Sequence, residues 1–400
     1  MSAALDVEAE RAATPGCAHV AHLNNAGAAL QTGATLEAMV SHLALEAERG
    51  GYEAAAAVAD KLVGLRSSLA SLLGAQPDEV EVTGSDTQSW TKALWGFVLA
   101  GGVVAGQRFL VDRISYDSHF LGLLQVCDFV GATIEVIPSK EDGSCDIEAL
   151  RTALDSDGVA LVSITHVGTH RGLVNPVAEA GAACRAAGVP FFLDACQSIG
   201  QLPVDVMAIG CDVATGTGRK WIRGPRGTGI LFVRSGFAER MHPPGIGGSS
   251  AVWEDSQHFS YRSGAARFSD FEVPYAAHLG LAVAVDHALD LGVDVIAKRV
   301  DALGERLRGA LSAIDGCAVH DGGSRRSGIV TFTLDTTPPT DVASAARVAG
   351  INLSVSESHG ALLDMGGARP ASVVRASPHY FNTEAELDRL VEVVDLASRR

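Results

Sequence analysis

The chemistry in this chain gathers around one lysine. Asp194-Ala195-Cys196-Gln197 is followed, after a short helix-like stretch, by Ala214-Thr215-Gly216-Thr217-Gly218-Arg219-Lys220-Trp221. A lysine amine on its flexible stem can form a Schiff base with an aldehyde. A carboxylate can pair with a pyridinium nitrogen and keep it protonated, so that the ring accepts electrons. An acid at a strand end with a lysine one βα unit later therefore reads as a pyridoxal phosphate site, with Lys220 the amine and Asp194 the acid. A lone strand-end aspartate also serves as a structural acid or a helix N-cap. Gln197 can reach the cofactor's 3′-oxygen. His166 ends the preceding strand, within Ser163-Ile164-Thr165-His166-Val167-Gly168-Thr169. In a cleft it is a candidate for proton transfer or for holding the ring.

A phosphate needs its own site. Val82-Thr83-Gly84-Ser85-Asp86-Thr87-Gln88 precedes a helical run read from Ser89. Small and hydroxyl residues at a helix start present free N–H groups to an anion, aided by the helix dipole. Ser85, Asp86 and Thr87 are the candidates, Asp86 through its N–H with its carboxylate turned away. An ordinary N-cap reads the same way. The Thr215–Lys220 run is not a nucleotide loop. A Walker loop needs Ser or Thr after its lysine, and here Trp221 follows.

The elements that must position these residues alternate. Strands are read at 108–112, 133–138, 159–164 and 189–194, and helices at 120–129, 147–155 and 176–187, the last with Pro176 at its first position. Near-continuous apolar strands joined by helices predict a mostly parallel sheet covered on both faces. Its ligands lie beyond the carboxyl ends of the strands, where Asp194 and the turn after Ile164 fall. Helical periodicity covers 34–49 and 58–73. After the strand 229–233 come a loop-rich stretch at 241–272 and a long helical region over 275–313. Short strands (328–334, 351–355, 372–376) then mix with helices at 340–348 and 383–398. The expected division is an N-terminal segment (1–50) packing with the small domain, a large cofactor-binding domain (51–285) and a small C-terminal domain (286–400).

Net charge −16 argues against nucleic acid or an anionic membrane as partner and mildly favours cationic or zwitterionic ligands. Seven cysteines without a C-x-x-C leave zinc and redox motifs unsupported, so no metal is expected. Their scatter suits a reducing cytosol. The N-terminus lacks an apolar signal core, and the longest apolar run, Ala93 to Gly106, is too short to span a bilayer. A cytoplasmic protein is expected.

From His22 to the C-terminus the chain resembles the class V, cysteine-desulfurase-like family of fold-type I pyridoxal-phosphate enzymes. The resemblance is carried by Thr165-His166-Val167, Asp194-Ala195-Cys196-Gln197, Gly218-Arg219-Lys220-Trp221 with Gly224-Pro225-Arg226-Gly227-Thr228-Gly229, and Val374-Arg375-Ala376-Ser377. The ordered set is specific, although each member alone is weak. It implies an α/β fold: a large domain with a mostly parallel, seven-stranded sheet between helices, and a smaller α+β C-terminal domain. It implies that Lys220 carries the cofactor, that Asp194 pairs with the ring nitrogen and that Gln197 contacts the 3′-oxygen. Thr87 and Thr217 would help bind phosphate. Arg375 would bind the carboxylate of an amino-acid substrate, which suits its forked donors, with Asn24 a further substrate contact. The loop holding Gly248 would reach a second subunit's site, which implies a homodimer with active sites at the subunit interface.

Three departures matter. Arg219 stands where many relatives have histidine; it can pair with the phosphate or lie in a structural ion pair. For the ring-stacking residue Tyr116 is favoured, with His119 the alternative. A desulfurase needs a mobile cysteine thiolate shortly before the Arg-Ala-Ser motif, and 354–374 contains no cysteine. Cys196, beside Asp194, is no flexible sulfur carrier. His22-Leu23-Asn24-Asn25-Ala26-Gly27, 112–119 and 214–221 are similar to the C–S lyases of the ergothioneine pathway, a frame shared with isopenicillin N epimerase-like enzymes. That similarity implies β-elimination from hercynylcysteine sulfoxide to a sulfenic acid, pyruvate and ammonia, with Lys220 the base at Cα. His166, Tyr116 or His119 would protonate the leaving oxygen. Trp253, Glu254, Phe268, Asp270 and Glu272 would line the cationic end of the substrate. The alternatives are an aminotransferase, an epimerase, a desulfurase or selenocysteine lyase, and a cofactor-binding protein without turnover.

Overall fold

The computed structural model describes residues 5–360, 362–365 and 370–399. Residues 1–4 of the expected N-terminal segment, and 361 and 366–369 of the cysteine-free stretch, lie outside the described residues. The fully apolar strands assemble as expected. A seven-stranded sheet runs in the order Val80–Thr83, Gly229–Val233, Val213–Thr217, Phe191–Asp194, Val159–Thr165, Arg108–Val111, Thr133–Val136. Gly229–Val233 is antiparallel to both neighbours and the other strands share one direction. Helices cover both faces, so central strands such as Phe191–Asp194 are buried along their whole length, which is why they read as runs rather than alternations.

Some local readings shift. The strand Val80–Thr83 escapes an apolar pattern because Glu81 is in it; that carboxylate is buried and paired with Arg66 at 2.9 Å. The helix read from Ser89 begins at Asp86, with Ser85 as N-cap. Pro176 is the N-cap, not the first helical residue, of Val177–Ala187. The region 275–313 divides at Gly292, where φ of +83° separates Tyr275–Leu291 from Val293–Ser312.

The C-terminal part builds a four-stranded antiparallel sheet ordered Cys317–Val319, Val330–Leu334, Ser372–Ala376, Ser354–Glu357. Its core joins Leu303, Leu307, Phe332, Val374 and Leu390. The N-terminal segment touches both parts. Ala21–His22 pairs in parallel with Ile351–Asn352, while the helix Gly33–Arg49 packs on Tyr275–Leu291. No helix among the described residues is long and apolar enough to cross a membrane.

Candidate active site

The carboxyl ends of the parallel strands share one edge, and the candidate residues emerge there. Thr83 lies opposite Gly229 across the outermost strand pair. A Cβ at Gly229 would stand 2.3 Å from the backbone carbonyl of Ser85, so only glycine lets this turn lie against the sheet. Ser85 Oγ accepts the Gln88 N–H and starts the helix Asp86–Leu99. Ser85 and Thr87 are exposed at the helix start, with the dipole behind them. The Asp86 carboxylate turns inward, away from where an anion would sit, and its Oδ2 accepts from His119 Nε2 at 2.9 Å.

Lys220 follows the strand Val213–Thr217 and is buried. Its Nζ stands 3.4 Å from Cys196 Sγ and 5.8 Å from the centre of the Tyr116 ring. Asp194 Oδ1 accepts the Cys196 N–H at 2.9 Å. Its Oδ2 has only long approaches, from Thr165 Oγ1 at 3.5 Å and His119 Nδ1 at 3.7 Å. Burial raises Asp194 above the ordinary carboxylate range; Asp86 adds to this, while His119, the Cys196 N–H and Lys220 oppose it. A buried carboxylate oxygen short of a close donor suits a protonated ring nitrogen. With the lysine and the open helix N-terminus on the same edge, the residues fit pyridoxal phosphate.

Tyr116 is half-buried and keeps its phenol proton, because burial and then Asp117 raise it. The alternative stacking residue, His119, is fully enclosed and already stacked on Trp90, with ring centres 4.2 Å apart. Arg375 lies beside Asn24: its Nη2 reaches Asn24 Oδ1 at 3.4 Å, Nη1 the Thr169 carbonyl at 3.4 Å, and Nε Ser354 Oγ at 3.1 Å.

Other candidates are placed differently. Gln197 donates to the Ala26 carbonyl and Thr169 Oγ1 and accepts from Trp221 Nε1, so its amide is already committed inside the wall. The Thr217 hydroxyl donates to the Thr228 carbonyl. Arg219 donates to the Gly27 carbonyl, an internal partner rather than an anion. His166 is held at about 4 by burial and by Arg325, and no hydrogen bond of its ring to Lys220 or Asp194 occurs among the described residues. It is therefore neutral at physiological pH. Gly248 is exposed on a separate loop and bonded to Arg262. Phe268 is 1% exposed and belongs to the hydrophobic core with Trp90 and Phe97, and Asp270 pairs with Lys92 at 2.6 Å. Trp253, 82% exposed, lies on the hairpin made by Ala251–Trp253 and Phe259–Tyr261.

The sequence reading missed several residues at this edge. His170, after the Thr165–Val167 motif, is held at about 4 by burial, Arg375 and Lys220. Asp112 accepts from the Thr165 N–H and from Asn175 Nδ2, bracing two strand ends, and is pushed up to about 8 by burial with Asp194 adding. Its place right after an apolar strand was the available signal. Among the described residues Asp86, His119 and Asp194 also have ligand atoms within 4.8 Å of one another, and His119 Nε2 bonds directly to Asp86 Oδ2.

Sheet, lysine and strand-end acid define a fold-type I pyridoxal-phosphate enzyme. Residues 21–390 match the aminotransferase class-V family, and the chain belongs to it. It is 30% identical over 391 residues to a probable hercynylcysteine sulfoxide lyase of Mycobacterium tuberculosis (strain CDC 1551 / Oshkosh), covering 97% of this chain and 92% of that protein. It is 29% identical over 357 residues to a probable cysteine desulfurase of Methanothermobacter thermautotrophicus, covering 87% and 86%. The apo structure of a cysteine desulfurase from Thermococcus onnurineus NA1 superposes over 100% of both chains with a TM-score of 0.92 at 23% identity, a likeness of fold. The cofactor is pyridoxal 5′-phosphate and the enzyme is a carbon–sulfur lyase.

Proposed function

We propose that this enzyme eliminates a sulfenic acid from hercynylcysteine sulfoxide, an S-substituted cysteine sulfoxide, leaving pyruvate and ammonia after one water is consumed. The observation that carries the reading is the state of the thiols. The cysteine nearest Lys220 is Cys196, fixed on the turn after Asp194, and burial with Asp86 and Asp194 pushes its thiol far up, so no thiolate forms there. The stretch 354–374 offers no other cysteine. A desulfurase must move sulfur onto a thiolate; β-elimination of a sulfoxide needs none, because the sulfur leaves with its own oxygen. The likeness to the mycobacterial lyase along 97% of the chain supports the same substrate.

When bound, the cofactor supplies an electron sink for the charge that develops at Cα. Thr87 and Ser85 would hold its phosphate at the helix start, Asp194 would pair with its ring nitrogen and Tyr116 would stack on its ring. Lys220 would anchor the cofactor and take the Cα proton. Arg375 and Asn24 hold the substrate carboxylate, which fixes the Cα–H bond relative to Lys220. The Tyr116 phenol, protonated at neutral pH, donates to the leaving oxygen. The protein is read as a cytoplasmic homodimer. The exposed Leu43, Tyr52 and Phe271, on one face with the Ser249 loop, would meet the second subunit and carry Gly248 towards its site.

Purified enzyme is incubated with cysteine, an S-alkyl cysteine and its sulfoxide, and pyruvate is read. The expected result is a strong preference for the sulfoxide and no protein-bound persulfide, with Lys220→Ala inactive. Sulfane-sulfur release from cysteine as fast as pyruvate release from the sulfoxide would assign a desulfurase instead.

A further inference from the structure

Three buried groups from three elements meet behind the cofactor face. Asp86 opens the helix Asp86–Leu99, His119 lies in the first turn of Asp117–Val130, and Asp194 ends its strand. His119 Nε2 is 2.9 Å from Asp86 Oδ2 and its Nδ1 is 3.7 Å from Asp194 Oδ2, the oxygen without a close donor. We propose that His119 is a positively charged link between Asp86 and Asp194, a positioning residue that keeps Asp194 ionised towards the cofactor's ring nitrogen. The inference rests on Asp194 facing that nitrogen.

Two buried carboxylates so close would each resist ionising unless a cation stood between them. The imidazole is the group placed to be that cation. Trp90 stacks on it at 4.2 Å with planes 4° apart, and an aromatic face favours a charged ring. Three charged groups act on it: Asp86 from its helix, Asp194 from the strand, and Lys220 from the loop after Val213–Thr217. Burial alone would lower His119, yet the two carboxylates outweigh both burial and Lys220 and raise it. Asp86 moves the complementary way: burial would raise it, and His119 chiefly holds it down. Asp194 stays raised. With a ring nitrogen in place the charges alternate: Asp86 negative, His119 positive, Asp194 negative, pyridinium positive. Removing His119 leaves Asp194 beside Asp86 with nothing between, so Asp194 takes a proton and no longer holds the ring nitrogen charged.

The test begins with wild-type protein freed of cofactor, which requires no variant to fold. Nitrogen NMR of labelled histidine should show His119 protonated on both nitrogens at about pH 7.5, above the ordinary histidine midpoint. A neutral His119 at that pH overturns the proposal. His119→Gln and Asp86→Asn are then read by equilibrium dialysis of pyridoxal phosphate and by the pH dependence of visible absorbance in the loaded enzyme. Both should weaken cofactor binding by about tenfold or more, the scale of losses at groups that orient a ligand's direct partner. Both should also shift the absorbance midpoint. Wild-type affinity and midpoint in both variants would overturn the link. Wild-type cofactor affinity in Asp194→Asn would instead remove Asp194 from the cofactor, a failure of the site assignment that the His119 spectrum does not share.

Discussion

Arg375 offers the sharpest separation of binding from stability. The residue is 8% exposed, and the three neighbours of its guanidinium, Ser354 Oγ, the Thr169 carbonyl and Asn24 Oδ1, are all neutral, two of them at 3.4 Å. Burial, with Arg219 adding to it, lowers Arg375 to about 10, and Tyr116 opposes this. The resting protein thus holds a buried cation with no close counter-charge among the described residues, an arrangement that gains little stability. A substrate carboxylate would complete it through a forked pair of charge-assisted hydrogen bonds. Arg375→Gln removes the charge and the fork while keeping a shorter polar side chain. Losing about 3 kcal/mol of charge-assisted bonding corresponds to roughly a hundredfold fall in kcat/KM. The loss should appear mainly in KM, because the carboxylate is held equally before and during Cα–H cleavage. Thermal unfolding of the cofactor-free variant should give a Tm equal to or above wild type. The assay is pyruvate release across a range of sulfoxide concentrations, with calorimetry on the same preparations. A lower Tm together with an unchanged KM would make Arg375 a structural strut and refute the reasoning.

Two further outcomes are expected. Cofactor-free protein should be most stable near about pH 6.5. His166, His170 and His278 are lowered from 6.5 to about 4, chiefly by burial, so their contribution is lost as pH falls through that window, at most about 3 kcal/mol each. His22, His320 and His379 move the same way. On the alkaline side Asp112, raised from 3.8 to about 8, makes stability fall as pH rises, and raised His119 loses its contribution there too. Urea midpoints at three pH values test this, and stability that climbs steadily from pH 5 to 8 contradicts it. Gly229→Ala should weaken cofactor binding about tenfold or more and cost about 1–3 kcal/mol, because the new methyl meets the Ser85 carbonyl and displaces the helix start. Dialysis and unfolding read both, and unchanged phosphate-dependent affinity would remove Ser85–Thr87 from the site.

Much of the scaffold was legible because burial on both faces leaves apolar runs such as Phe191-Phe192-Leu193 that only a covered sheet explains. The strand Val80–Thr83 was not, since the pairing that makes Glu81 tolerable comes from Arg66 on a helix. Site residues divide along the same line. Asp194 and Lys220 are legible in local order because the first ends an apolar strand and the second lies three residues beyond the next strand. The surroundings of Gln197 and His166 were not legible because side-chain direction near a strand end depends on tertiary partners: Trp221, Ala26 and Thr169 bond the amide, and the field of Arg325 falls on the imidazole. His119 carried no distinguishing local pattern. Its role arises from Asp86 and Asp194, which lie 33 and 75 positions away in the chain.

The segment 24–30 ties the loop of Lys220 to the strand of Arg375, 155 positions apart in the chain. On one side it bonds to the lysine loop: the Ala29 N–H donates to the Arg219 carbonyl at 2.9 Å, and Arg219 donates back to the Gly27 carbonyl. On the other it bonds to the arginine strand: the Ala26 N–H donates to Ser377 Oγ at 2.9 Å, and Asn24 Oδ1 accepts from Arg375. Gly27 allows the turn between them, since a Cβ there would come within 2.7 Å of Asn24 Oδ1. Arg223 secures the far end. It adopts φ of 65°, a conformation costing a non-glycine residue about 1 kcal/mol or more. Offsetting that cost, its guanidinium donates to the Leu30 carbonyl at 2.8 Å and lies over Phe381 at 4.5 Å. The N-terminal segment is therefore a physical tie between Lys220, the proposed base at Cα, and Arg375, the proposed carboxylate-binding cation. That is why the His22–Gly27 run carries a functional signature although none of its side chains needs to touch the reacting bond.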